Sequence, residues 1–155
     1  MLVVVVCLLT VSLAFACPYD AIVVPEDRTP GRDMLDAWCA GKPYFTSLGN
    51  ALSNYEPKRI LLFGDGAVYE ESKLDFACPS GKSLTIQGVG HPILRGCQHQ
   101  FSCANTDIKN VGFEHSKECR HHALFHLPAL SEQPRPYHFN ILNCTIDGED
   151  ALMRY

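Results

Sequence analysis

Apolar positions recur along this chain in short bursts that share a plan. The phrase IKNVGFEHS starts at Ile108 and ILNCTIDGE at Ile141. Each reads Ile, any residue, Asn, with a large apolar residue (Phe113, Ile146) five positions after the Ile. A weaker copy, SLTIQG, has Ile86 followed two residues later by Gly88. The intervals from Ile86 to Ile108 and from Ile108 to Ile141 are 22 and 33 residues, and an apolar strand centred on Leu62 lies 24 before Ile86. The longer interval contains LPALSEQPRPY, whose three prolines mark a protruding loop, an insertion that explains the excess. The copies also agree further on, His122-Ala123-Leu124 against Asp150-Ala151-Leu152. A period in the low twenties is the signature of a solenoid.

Upstream the pattern changes period. In YFTSLGNALSNYEP, Phe45, Leu48, Leu52 and Tyr55 fall three or four apart, one face of a helix. Thr46 or Ser47 supplies its cap and Pro57 its stop. Then RILLF reads as a strand, Gly64-Asp65-Gly66 as a turn, and Ala67 to Tyr69 as a second strand. Residues Cys17 to about Lys42, broken by Pro25, Pro30 and Gly31, read as irregular.

One rung of short strands cannot bury its own apolar side. Stacked on its neighbours about 4.8 Å apart, it forms parallel sheets around one continuous core. Asn suits the bends because it tolerates left-handed φ and its amide bonds to the next Asn. Asn110 and Asn143 are therefore expected to form an asparagine ladder, with Gly88 at the equivalent bend. The fold expected is all-β, a right-handed parallel β-helix with a short N-terminal capping α-helix that plugs the core, truncated at its C-terminus. A β-sandwich, whose strands also come at short intervals, is the competing architecture. The organisation is 1–16 signal peptide, 17–44 irregular segment, and 45–155 capping helix with the first rungs.

The 155 residues suffice for one domain with a core. Hydrophobic content of 46%, charged content of 19% and a formal net charge of −4 exclude the basic face a nucleic-acid binder needs. MLVVVVCLLTVSLAFA is a continuous apolar run ending in Ala14-Phe15-Ala16, the form of a cleaved secretory signal. It is shorter than the ~20 residues of a spanning helix, so no stable membrane insertion is expected after cleavage. A lipoprotein anchored at Cys17 fits less well, since no Leu stands three residues before it. The expected location is secreted or at the cell surface. In that oxidising setting Cys17, Cys39, Cys78, Cys97, Cys103, Cys119 and Cys144 are disulfide candidates, and their odd number leaves one thiol over. Spacing alone leaves their connectivity open, and the absence of C-x-x-C implies no zinc site.

The helix FTSLGNALSNY, the strand RILLFGDGAVYEE, then SLTIQGVGHPILRG and the rungs with IKNVGF and ILNCTI resemble the opening of the pectin-lyase-like superfamily. The resemblance covers about Phe45 to Tyr155. Two branches follow from it. Similarity to pectinesterases, through GAVYEES and IQGVG, puts His122 at a catalytic-site Gln, Asp150 on the acid Asp and Glu149 on its Gln. Similarity to surface β-helix proteins, through NCTIDGEDA, implies adhesion or scaffolding with carbohydrate contact and needs no residues beyond Tyr155.

Alternation within strands sharpens the first branch. With Ala123, Phe125 and Leu127 inward, His122, Leu124 and His126 face out. With Ala151 and Met153 inward, Asp150 faces out beside His122, where acid–base or nucleophilic chemistry needs both. His122 and His126 make two metal ligands without a third, so no metal or other cofactor is expected. His91, His99, His115 and His138 read as solvent-exposed imidazoles. Asn143-Cys144-Thr145 is an N-glycosylation sequon, in conflict with Asn143 as a ladder residue. Tyr155 directly follows an apolar strand, so the chain is expected to be incomplete or to self-associate through that open end. A polysaccharide or cell-surface glycan is the expected partner.

Overall fold

A computed structural model describes residues 16–26, 39–55, 57–78, 82–119, 122–126 and 138–148, side chains of 54 and 55 excepted. All but Ala16 of the expected 1–16 signal peptide, the expected proline-rich loop at 127–137, and Glu149, Asp150 and the strand expected after them lie outside the described residues.

Strands arrive in pairs separated by tight bends. β1 (Ala21–Val23) and β2 (Tyr44–Phe45) precede α1 (Leu48–Tyr55). Then come β3 (Arg59–Phe63) with β4 (Val68–Glu71), and β5 (Ser83–Val89) with β6 (Ile93–Gly96) and β7 (His99–Gln100). β8 (Asn105–Lys109), β9 (Gly112–His115) and β10 (Phe125–His126) follow, and the described chain closes with β11 (His138–Leu142) and β12 (Thr145–Asp147). The protein is mostly β, and the described residues form three sheets in which every strand pairing is parallel. The first sheet runs β2-β1-β3-β5-β8-β11, the second β4-β6-β9-β12, and the third pairs β7 with β10. Asp75 adds a parallel bridge to Gln100 at the edge of the third.

Register follows the isoleucines. Ile60 pairs with Ile86, Ile86 with Ile108, and Ile108 with Ile141. The last two intervals are those read from sequence. The first is 26 rather than 24: Ile60, not Leu62, is the partner of Ile86. The two-residue shift preserves which side chains point inward. Ile60, Leu62, Leu84, Ile86, Leu94, Ile108 and Phe113 are buried in one cluster with Phe76, Phe101 and Phe125 of the third side. Each such side chain is worth about 1.5–3 kcal/mol relative to exposure, which is what makes the alternation decisive. Phe76 and Phe101 stack with centroids 4.7 Å apart.

Segment 17–44 is not wholly irregular. Ala21, Ile22 and Val23 form a buried strand between β2 and β3. Three apolar residues in a row lack alternation, because both sides are covered: Val23 joins the main core, while Ile22 packs outward with Cys39 and Leu61. The Cys17–Cys39 disulfide ties down that outer cover. Phe45 also departs from expectation, lying in β2 rather than on the helix face.

Helix α1 buries Leu48 and Ala51 in the main cluster. Ser47 is its cap, its Oγ accepting from Asn50 N at 3.2 Å. A second cap comes from across the fold: Glu71 Oε1 accepts from Leu48 N at 2.6 Å and Gly49 N at 3.3 Å. Buried Glu71 thereby fixes the helix start to the end of β4.

Candidate functional site

The bends set which side chains the second sheet shows to solvent. Asn110 and Asn143 occupy left-handed φ of 56° and 51°, and Asn143 Nδ2 donates to Asn110 Oδ1 at 2.6 Å. The ladder pair is thus in place. Gly88 does not hold the equivalent bend. It lies within β5, where a Cβ would collide with the Asn110 carbonyl oxygen. The left-handed bend falls two residues later, on Gly90 and His91 (φ 78° and 54°). The nitrogen that glycosylation of Asn143 would modify is the one donated to Asn110, and the sequon's Thr145 Oγ1 lies 2.9 Å from His91 Nε2.

Parallel register then lines up one outward row on the second sheet: Glu70, Arg95, Glu114 and Asp147 are successive partners. Arg95 grips Glu114 with two bonds, Nε to Oε1 at 2.9 Å and Nη2 to Oε2 at 3.0 Å, and reaches Glu70 Oε1 with Nη1 at 2.6 Å. The bonds to Glu114 and then Glu70 raise the guanidinium pKa further, so the cation is permanent. A groove of about 510 Å³ opens over this row, walled by Ser116, Lys117 and Glu118. That wall is a short 3-10 turn, Lys117–Cys119, anchored by the Cys97–Cys119 disulfide and by Ser116 N to Gly96 O at 3.0 Å. Glu70, Glu114 and Glu118 against Arg95 and Lys117 leave the groove mildly acidic.

At the corner beyond the wall lies His122, exposed, its Nδ1 3.1 Å from Gln98 Nε2. His115 Nε2 donates to the His122 carbonyl at 2.7 Å. The proposed partners Asp150 and Glu149 lie outside the described residues. Leu124, expected to face out, is buried: it precedes β10, so strand alternation does not apply to it. His126 is exposed. His99 is the larger correction. It is fully buried, not solvent-exposed, because it alternates in step with Phe101, the residue just past β7, and faces the core. His91 and His115 are half-buried.

Three disulfides are formed: Cys17–Cys39, Cys78–Cys103 and Cys97–Cys119. Their separations of 22, 25 and 22 residues match the strand repeat, so the latter two clip neighbouring turns of chain together. Cys144 is the free thiol among the described residues, its pKa raised by burial against the opposing pull of backbone hydrogen bonds.

The Arg95 row was missed in sequence, though PILRG and GFEHS contain it. Its members meet only once the register is known. Comparison with family models, curated proteins and solved structures finds no match for this chain.

Proposed function

We propose that the chain is a right-handed parallel β-helix of the pectin-lyase-like kind that binds an extended glycan as a secreted or cell-surface scaffold. In-register parallel ladders in three sheets support the architecture, and the strong right-handed bias of parallel crossovers supports the hand. Three disulfides fit an oxidising compartment, and no helix among the described residues is long and apolar enough to cross a membrane.

The observation that carries the functional reading is the Glu70–Arg95–Glu114 row beneath an open groove. A linear ligand laid across the strands meets a fixed polar group at each one, about 4.8 Å apart. Carboxylate oxygens pre-positioned by Arg95 accept sugar hydroxyls without further ordering. The groove's excess negative charge favours neutral over uronate polymers. Affinity electrophoresis through gels containing neutral or uronate polysaccharide tests this. Retardation by a neutral polymer is expected, with binding weakened about tenfold by Glu114→Gln. Migration unaffected by any polymer, or by that substitution, contradicts the proposal.

A carbohydrate esterase similar to pectinesterases is the second reading, supported by the Gln98–His122 contact beside the groove. It expects methyl release from esterified pectin that Asp150→Ala abolishes.

A further inference from the structure

His99 is a polar residue with an environment that fits only one of its protonation states. Its side chain is fully buried on β7. The rings of Phe76, Phe113 and Phe125 surround it at centroid distances of 6.3, 6.4 and 6.5 Å. The backbone N–H of Leu74 donates to its Nδ1 at 3.2 Å. A ring nitrogen that accepts an N–H carries no proton, so the imidazole proton sits on Nε2. Nε2 has no hydrogen-bond partner among the described residues.

The charged and titratable groups on the surrounding elements are engaged elsewhere. Glu71 caps α1, and Asp75 accepts from Ser102 Oγ at 2.8 Å. Arg95 and Glu114 bind each other on the outer surface. His115 is turned to the His122 carbonyl, and His126 is exposed. None of these contacts offers a counter-charge to an imidazolium at position 99.

We propose that His99 is an acid-operated latch: unprotonated, its Nδ1 ties the chain at 74–76 to β7, and proton uptake from an acidic medium releases that segment and uncovers the phenyl cluster. The added proton must go onto Nδ1, which then points a donor at the Leu74 donor. The resulting cation is buried among aromatic rings with no acceptor. Relief comes by parting the seam between 74–76 and β7. That seam is a parallel bridge of Asp75 to Gln100, with Phe76 N to Gln100 O and Gln100 N to Leu74 O both 2.8 Å, and the Cys78–Cys103 disulfide hinges its far end. Opening it exposes Phe76 and Phe101, an apolar surface that the neutral protein conceals.

The direction is fixed by linkage. Burial lowers the His99 pKa from 6.5 to about 4. A depressed histidine contributes stability that is fully present above pH 6.5 and lost as pH falls towards 4. Across that window the equilibrium for opening should rise on the order of a hundredfold.

Binding of a fluorescent apolar dye and the melting temperature, followed from pH 7.5 to 4.2, test the latch. The parent protein should gain dye and lose melting temperature between pH 6.5 and 4. His99→Asn keeps an acceptor near Leu74 but cannot titrate, and His99→Phe fills the space without either property. Both should show little change above pH 4.5, whatever their absolute stability. A His99→Asn profile as steep as the parent's overturns the proposal. If neither variant folds, amide exchange in the parent decides. The protection factor of Leu74, its exchange rate taken relative to the intrinsic rate at each pH, should fall on the order of a hundredfold between pH 6.5 and 4. An imidazole that titrates near 6.5 with the Leu74 amide unaltered refutes it.

Discussion

Asn110 shows what one residue contributes to this architecture. Its left-handed φ costs most L-residues about 1–2 kcal/mol, and its amide also receives the bond from Asn143. Asn110→Ala should therefore lower stability by about 1–2 kcal/mol, and Asn110→Gly by less, in denaturant titrations. The ladder pair was legible because Asn at a fixed offset from a repeated Ile has a physical reason to recur. His99 was not legible. Whether a residue faces in or out depends on knowing which strand it belongs to, and β7 is only two residues long. The signal was its alternation with Phe101, with Cys97 two residues before it. Cys144 carries a second residue-level expectation. Burial raises its thiol pKa, so alkylation should be slower than for a free thiol at neutral pH and accelerate strongly with alkali.

At the scale of elements, the existence of α1 was legible because the apolar spacing of Leu48 and Leu52 is local, but its start was read three residues early at Phe45 and its cap was left between Thr46 and Ser47. Its second cap was hidden, since Glu71 lies 23 residues from Leu48 and meets it only after β4 folds back. Removing that acceptor leaves the Leu48 amide buried and unpaired. Glu71→Ala should cost about 1–2 kcal/mol, read as a lower melting temperature, with Glu71→Gln losing less. β1 escaped notice for the opposite reason. Pro25 and Pro30 made its surroundings look irregular, and a strand covered on both sides shows no alternation. The bends carry register information too. Two residues separate β8 from β9 and β11 from β12, three separate β5 from β6, and the Gly64–Ala67 bend has four, so bend length varies and an interval alone did not single out Ile60 over Leu62.

At the largest scale, stability among the described residues comes from parallel strands stacked around one core and clipped by disulfides. Replacing Cys78 and Cys103 together by Ser removes a clip between neighbouring turns and should cost about 3 kcal/mol. At the far edge of the described sheets, Leu142 and Ile146 are 46% and 48% exposed. Leu142 pairs with Lys109 on the outward side of the first sheet, whereas Ile146 pairs with the buried Phe113. The interval between isoleucines made this stacking readable, because each interval separates register partners on neighbouring parallel strands. The groove was not readable, because the Arg95 row exists only across strands.

The parallel register is the foundation of the row, the groove and the latch alike. Methyl-to-methyl nuclear Overhauser contacts among the isoleucines measure it directly. Parallel register requires cross-peaks from Ile86 to Ile108 and from Ile108 to Ile141, but none from Ile86 to Ile141. Absence of the first two contacts, with Ile108 instead close to residues of an antiparallel neighbour, would contradict it.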